Sequence, residues 1–379
     1  MILKNGLVVD ESFSLRKCDL KMENGVIVEI ADCLSGEDEI DVSGKYVLPG
    51  FIDTHMHGAM GTKISDINPA PDFSRITRYE ATQGVTSIAI GTVCSAFDHL
   101  LRQIDRAVEV SRDTQGAKIA AIHIEGPFIN PSKKGAMKEE YILLPNCEQL
   151  DQMIEHGKGM IRLITLAPEM EGSAEVIAHA VERGLTVSMG HTDATYEQAM
   201  AAIAAGARQS THTFNAMRAY SHREPGILGA VLTHPDVCCE MICDHTHLHP
   251  AVIQLIYKMK GADKINVISD SEHGAGLTAS QIVVDGEVVY IQDGVMRLPN
   301  GTIAGSASSI LRGVRNLLTA GIPLTDVAKM TSINPARSLK IDHLTGSLQV
   351  GKAADIVVLD QDYNVLYTFV NGACAYKGE

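Results

Sequence analysis

The stretch Pro49–Gly58, PGFIDTHMHG, carries two histidines one residue apart. If its apolar start is a β-strand, alternation puts His55 and His57 on one face and Met56 in the packing behind them. Two imidazoles side by side at a strand end can hold one divalent cation. The same pair on a surface strand would be ordinary solvated histidines. Four further apolar stretches end in the same kind of residue, and together they favour the cation. HIEGPF offers Glu125, MGHTDAT offers His191, THTFNAM offers His212 and ISD offers Asp270. Four imidazoles and two carboxylates, with no thiolate, are the donors of catalytic divalent sites rather than of closed structural zinc sites. Zn2+ is the expected ion, and Fe2+ or Mn2+ accept the same N/O donors.

Single residues have other readings. Glu125 precedes Gly-Pro on an apolar strand, so its carboxylate needs a cation, a metal or an arginine; the metal is the reading adopted. His191 can also serve as a helix N-terminal residue, and His123, alternating with Glu125, as a core or supporting histidine. The run DHTHLH holds His245, His247 and His249, at least one of which is expected to face a pocket. His99, His156, His179 and His234 read as solvated.

A repeated strand–helix pattern must hold these residues. From about 50 to 345 the strand candidates are FIDTH, VTSIAIG, KIAAIHIEG, IRLITLAPE, LTVSMGH, ARQSTHTF, VCCEMICDH and KINVISD, with helical stretches between most of them. Residues 98–110 place Leu100, Leu101, Ile104, Ala107 and Val108 on one helical stripe. Residues 173–183 and 195–205 are also helical in pattern. Eight such strands predict an α/β fold of the (β/α)8 TIM-barrel type, whose chemistry sits at the carboxyl ends of the strands. An open doubly wound sheet would need a Gly-rich loop after its first strand, and none is present. Residues 282–304 read as an inserted β-hairpin with Asp-Gly and Asn-Gly turns. Residues 1–49 are short β-branched runs broken by Asn-Gly turns, and 346–379 carry matching runs. The two ends are expected to pair into one small β-sandwich domain beside a catalytic barrel of residues 50–345.

The 379 residues are 45% hydrophobic, enough for a large core, and carry a formal net charge of −14. That balance argues against nucleic acid or an anionic membrane surface as a partner. An anionic substrate would need a local cationic pocket. The eight cysteines lie scattered in apolar contexts without a Cys-X-X-Cys pair, as expected of reduced thiols in a cytoplasmic protein. The amino terminus does not read as a signal peptide, and no apolar run reaches membrane-spanning length.

The blocks PGFIDTHMHG, HIEGPF, MGHTDAT, THTFNAM, REPG and the Asp of ISD resemble the amidohydrolase superfamily and, within it, the N-acetylglucosamine-6-phosphate deacetylases. The resemblance spans nearly the whole chain. It implies hydrolysis of N-acetylglucosamine 6-phosphate to glucosamine 6-phosphate and acetate, usually by a homodimer. It assigns Glu125, His191 and His212 to a main metal. His55 and His57 match the variant with a second metal bridged by Glu125, so one or two ions per subunit are implied. Asp270 matches the general acid/base, Asn215 and Ala216 the segment whose backbone helps hold the phosphate, and His247 a substrate contact. Arg223 matches a phosphate-binding arginine from the neighbouring subunit. The chain departs from the pattern at Ser271-Glu272-His273, at His245 and at Met137, all on the substrate side. Another amino-sugar phosphate, such as N-acetylgalactosamine 6-phosphate, or another amide of the superfamily's repertoire is the alternative substrate. A non-catalytic scaffold would be expected to lose the ligands or Asp270.

Overall fold

The computed structural model describes residues 1–66, 72–112, 114–284 and 287–378. Eight parallel strands follow one another round a barrel: β1 (Phe51–Met56), β2 (Val85–Thr92), β3 (Lys118–Glu125), β4 (Ile161–Leu166), β5 (Thr186–Met189), β6 (Gln209–Ser210), β7 (Cys238–Ile242) and β8 (Ile265–Ile268). The ring closes where the Asp270 N–H donates to the His55 carbonyl at 2.9 Å and Met56 bridges Ser271. Asp53 is fully buried and reinforces this seam, accepting from the N–H groups of His55 (3.1 Å) and Ser269 (3.3 Å).

The strands are legible as apolar runs because both faces are covered. Outward residues such as Met56, Ile88, Ile90, Ile122 and Ile124 join the large core. Inside, Ile52, Ala89 and Ala121 rest on Ala336 and Leu339, so helix Asn334–Ser338 closes the end opposite the strand carboxyl termini. Above that floor the interior is polar. His123 reaches Thr165, and Thr165, Thr211 and Ser188 form a chain of hydroxyl contacts of 2.6–2.8 Å. These three hydroxyls are tolerated inside the barrel because each finds a partner.

Several sequence expectations change in detail. The sixth strand is two residues long, because the THTFNAM segment leaves the ladder at once and turns into the barrel mouth. The insertion is a four-stranded antiparallel sheet (Gln281–Val284, Glu287–Gln292, Val295–Arg297, Ile303–Ser306) rather than a single hairpin; its Asp285-Gly286 turn lies outside the described residues. Helix Phe97–Val110 buries Leu100, Ile104, Ala107 and Val108 as expected and packs Leu101 partly against the core, but it also buries Gln103. The Gln103 amide accepts from the Val93 N–H (3.0 Å) and donates to the Ser95 hydroxyl (2.9 Å), pinning the loop after β2. Polarity patterns cannot reveal a buried amide satisfied in this way.

Both chain ends enter one sheet. Tyr46–Pro49 pairs antiparallel with Ile356–Leu359 and parallel with Ile2–Val9, and then runs directly into β1. The sheet curls so that Val26 bridges Ala353, enclosing a core of Leu20, Ile27, Val47, Ile356 and Phe369. Gly50 marks the passage into the barrel, where a Cβ would lie 2.2 Å from Thr86 Cγ2. Buried Asp355 fastens this sheet to the barrel. It takes Lys118 Nζ at 2.5 Å, the Thr345 hydroxyl at 2.7 Å and the Asn371 N–H at 2.9 Å. Replacing Asp355 with Ala removes a charge-assisted contact and strands the other partners, so a loss of roughly 2–3 kcal/mol is expected in urea unfolding. A change near zero would mean that the sheet and barrel are held by apolar packing alone.

Candidate metal centre

Glu125, at the end of β3, is 4% exposed and lies among four imidazoles. Its Oε1 stands 3.2 Å from His191 Nε2, 3.2 Å from His212 Nε2 and 3.3 Å from His55 Nε2, and its Oε2 stands 3.1 Å from His57 Nε2. Two groups of donors therefore share this carboxylate: His55–His57–Glu125 and Glu125–His191–His212. Asp270 Oδ1 is 3.5 Å from His55 Nε2 and 3.6 Å from His57 Nε2.

Each histidine is aimed by a bond on its far side. His57 Nδ1 lies 3.0 Å from the Gly91 carbonyl, His191 Nδ1 2.7 Å from that of Lys133 and His212 Nδ1 3.1 Å from that of Asn215. A carbonyl only accepts, so each Nδ1 carries a proton and each ring turns its Nε2 inward, where the neutral form offers a lone pair. Gly91 is required for the first of these, since a Cβ there would lie 2.8 Å from the His57 ring. His55 Nδ1 meets the Glu240 carboxylate at 3.1 Å.

This donor set fits a divalent cation. His191 Nε2 and His212 Nε2 are 3.1 Å apart, both facing Glu125, and His55 Nε2 is buried without a hydrogen-bond partner among the described residues. Lone pairs so placed around a carboxylate repel unless positive charge lies between them. The electrostatics agree. Burial disfavours the His55 imidazolium, but the Glu125, Asp270 and Glu240 carboxylates outweigh it and hold its pKa well above the usual value. The His57 pKa is raised to about 10 against its burial, by hydrogen bonds to Asp270 and Glu125. Burial raises the Asp270 carboxyl, but the facing histidines, His55 first, bring it down to about 2. The site draws in cations, as protons or as metal.

The backbone is strained where the donors leave their strands. His191, His212 and Asp270 have φ values of +48°, +28° and +51°, a region that side chains rarely adopt. The Glu169 carboxylate steadies the His191 turn, accepting from the Asn130 amide (2.8 Å) and the Asp193 N–H (2.6 Å). The centre opens into a cleft of about 920 Å³, lined among others by Asn215, Ala216, His247, Asp270, Met137 and Glu272. His247 is braced by Asp244 at 2.7 Å. The Asn215 N–H is already bonded to the His212 carbonyl at 2.8 Å. Arg223 is exposed and stands apart from the cleft of its own chain.

One expectation from sequence needs amending, one holds, and one residue carried none. His99 is not simply solvated: it lines the cleft and its Nε2 lies 3.2 Å from the Ser65 carbonyl. His123 is a core histidine as expected, fully buried with its ring 4.5 Å from that of His55. Glu240, absent from the sequence-derived donor set, is an acid in the middle of the apolar run VCCEMICDH. That is the same signal that singled out Glu125.

The amidohydrolase family model matches residues 46–374. The N-acetylglucosamine-6-phosphate deacetylase of Vibrio furnissii is 34% identical over 358 residues, 93% of this chain and 89% of that one. The N-acetylgalactosamine-6-phosphate deacetylase of Escherichia coli O157:H7 is 33% identical over 377 residues, 99% of each chain. Among solved structures, a mutant N-acetyl-D-glucosamine-6-phosphate deacetylase from Mycobacterium smegmatis in complex with N-acetyl-D-glucosamine 6-phosphate superposes with a TM-score of 0.92 at 30% identity, covering 100% of this chain and 99% of that one. With these matches over a barrel whose strand ends carry the shared carboxylate and its four histidines, the chain belongs to the amidohydrolase family and, within it, to the N-acetylglucosamine-6-phosphate deacetylases.

Proposed function

We propose that this chain is a metal-dependent deacetylase that hydrolyses N-acetylglucosamine 6-phosphate to glucosamine 6-phosphate and acetate. The observation that carries the reading is the convergence of four Nε2 atoms on Glu125, with Asp270 beside them at the mouth of the cleft. The catalytic unit is residues 50–345, and residues 1–49 and 346–379 form the accessory unit. The free thiols and the phosphorylated substrate fit a cytoplasmic location.

Glu125, His191 and His212 would hold the main ion, and His55 and His57, with Glu125 as bridge, a second and weaker one. Zn2+ is our assignment. When bound, such an ion polarises the acetyl oxygen and makes water acidic near neutral pH. The rest falls to this chain's own residues. Asp270, beside the His55 and His57 rings, accepts the proton of the attacking water at Oδ1. As the C–N bond breaks, Asp270 returns that proton to the amine nitrogen. His247, held by Asp244, contacts the substrate across the cleft. The segment Asn215–Ala216 faces the phosphate. Because the Asn215 N–H and its side-chain amide both donate to the His212 carbonyl, the task falls first to the Ala216 backbone. Arg223, remote from its own cleft, would reach the phosphate of the partner subunit in a homodimer, offering a planar two-pronged donor.

The match to the N-acetylgalactosamine-6-phosphate deacetylase over 99% of both chains favours a second reading, in which the sugar is the galacto epimer. Acetate release from the two N-acetyl sugar phosphates, with and without chelator, decides between them. Activity on one sugar should vanish with chelator and return with Zn2+. Release indifferent to chelator would sink the metal assignment.

Asp270→Asn keeps the size of the side chain and removes the proton acceptor. Its kcat should fall on the order of a hundredfold or more with metal content retained; a change of only a few-fold would place the proton transfer elsewhere. Arg223→Ala removes a charge-assisted contact of roughly 1.5–3 kcal/mol. It should raise KM for the phosphorylated sugar about ten- to a hundredfold while leaving the unphosphorylated N-acetyl sugar nearly unaffected. Equal losses on both substrates would assign the arginine to structure.

A further inference from the structure

The inference concerns Glu240, and it rests on the two-ion reading above. Glu240 is fully buried on β7. Its Oε2 lies 3.1 Å from His55 Nδ1 and accepts the His212 backbone N–H at 3.2 Å, and its Oε1 accepts the Gln209 amide at 2.7 Å. One carboxylate oxygen thus steadies a member of each donor group, His55 through its ring and His212 through its main chain. His55 touches three carboxylates: Glu240 through Nδ1, and Glu125 and Asp270 through Nε2 at 3.3 and 3.5 Å.

We propose that Glu240 is the positioning residue that makes the His55–His57–Glu125 group a second ion site. Two consequences of its placement support this. By taking the Nδ1 proton it fixes the ring so that Nε2 presents a lone pair, and it makes that ring a stronger donor. It also adds a third buried negative charge to those of Glu125 and Asp270. One divalent ion leaves a negative charge uncompensated there, which attracts further positive charge to the His55 side of the site. Only His55 depends on Glu240 through its ring; His57, His191 and His212 are oriented by carbonyls. The further grouping of His55, His123 and Glu240 is then this support rather than a third ion site.

The test is a Zn2+ titration of chelator-stripped protein, with stoichiometry by elemental analysis, on wild type and Glu240→Gln. Far-UV circular dichroism and Tm report the fold. Wild type should take two ions. E240Q should keep one at wild-type affinity and bind the other about 10–100-fold more weakly. Two ions at wild-type affinity in E240Q, or equal weakening of both in a folded variant, would overturn the inference, as would a third ion in wild type. A wild type that takes one ion would overturn the two-ion reading itself, and the inference with it. If E240Q does not fold, Glu240→Asp, which keeps the charge but withdraws it by one methylene, is expected to weaken the same single ion.

Discussion

Everything at the barrel mouth is arranged around one buried carboxylate. Glu125 is almost inaccessible to water, yet its ionised form is favoured, because four imidazoles surround it within 3.3 Å. Neither partner is stable there alone. A carboxylate without positive charge could not remain ionised in that setting, and four inward lone pairs without a cation would repel. The centre makes sense as a place where positive charge is always present. That requirement reaches outward to the carbonyls of Gly91, Lys133 and Asn215, which fix the ring orientations, and to the close approach allowed by Gly91.

Strain is concentrated where this arrangement is made. His191, His212 and Asp270 all take left-handed backbone angles just beyond their strands. A regular continuation would carry each side chain along the barrel wall, and the turn swings it over the mouth instead. Such conformations cost of order 1–3 kcal/mol each and persist where the surroundings enforce them. Here Glu169, the Asp53 seam and the short β6 do so.

Much of this was legible in the chain itself. The eight apolar runs, and the habit of five of them to end in histidine or acid, gave both the barrel and the donor set, because parallel strands buried on both faces leave little room for polar residues without a task. What escaped notice was polarity satisfied internally. Gln103 and Glu240 sit in apolar surroundings and reveal nothing about their partners until Val93, Ser95, His55 and Gln209 are brought to them by the fold. The two-residue β6 and the four strands of the insertion escaped for another reason: ladder length depends on the neighbours, and sequence periodicity does not report where a neighbour stops. Arg223 was legible as a residue and not as a contact, since its proposed task lies on another copy of the chain.

The sheet shared by the two ends has a consequence for how the molecule comes into being on the ribosome. Tyr46–Pro49 emerges before any of the barrel, and its partner Ile356–Leu359 only after all of it. Throughout elongation one edge of the first sheet therefore stays unpaired, an open template for a neighbouring nascent chain or for a chaperone. The strands that follow the barrel act as a clasp. Until they arrive, the amino-terminal strands are held to the barrel by the chain through Gly50 and by the packing of Val9 and Leu48 into its core, without the antiparallel partner that completes their sheet.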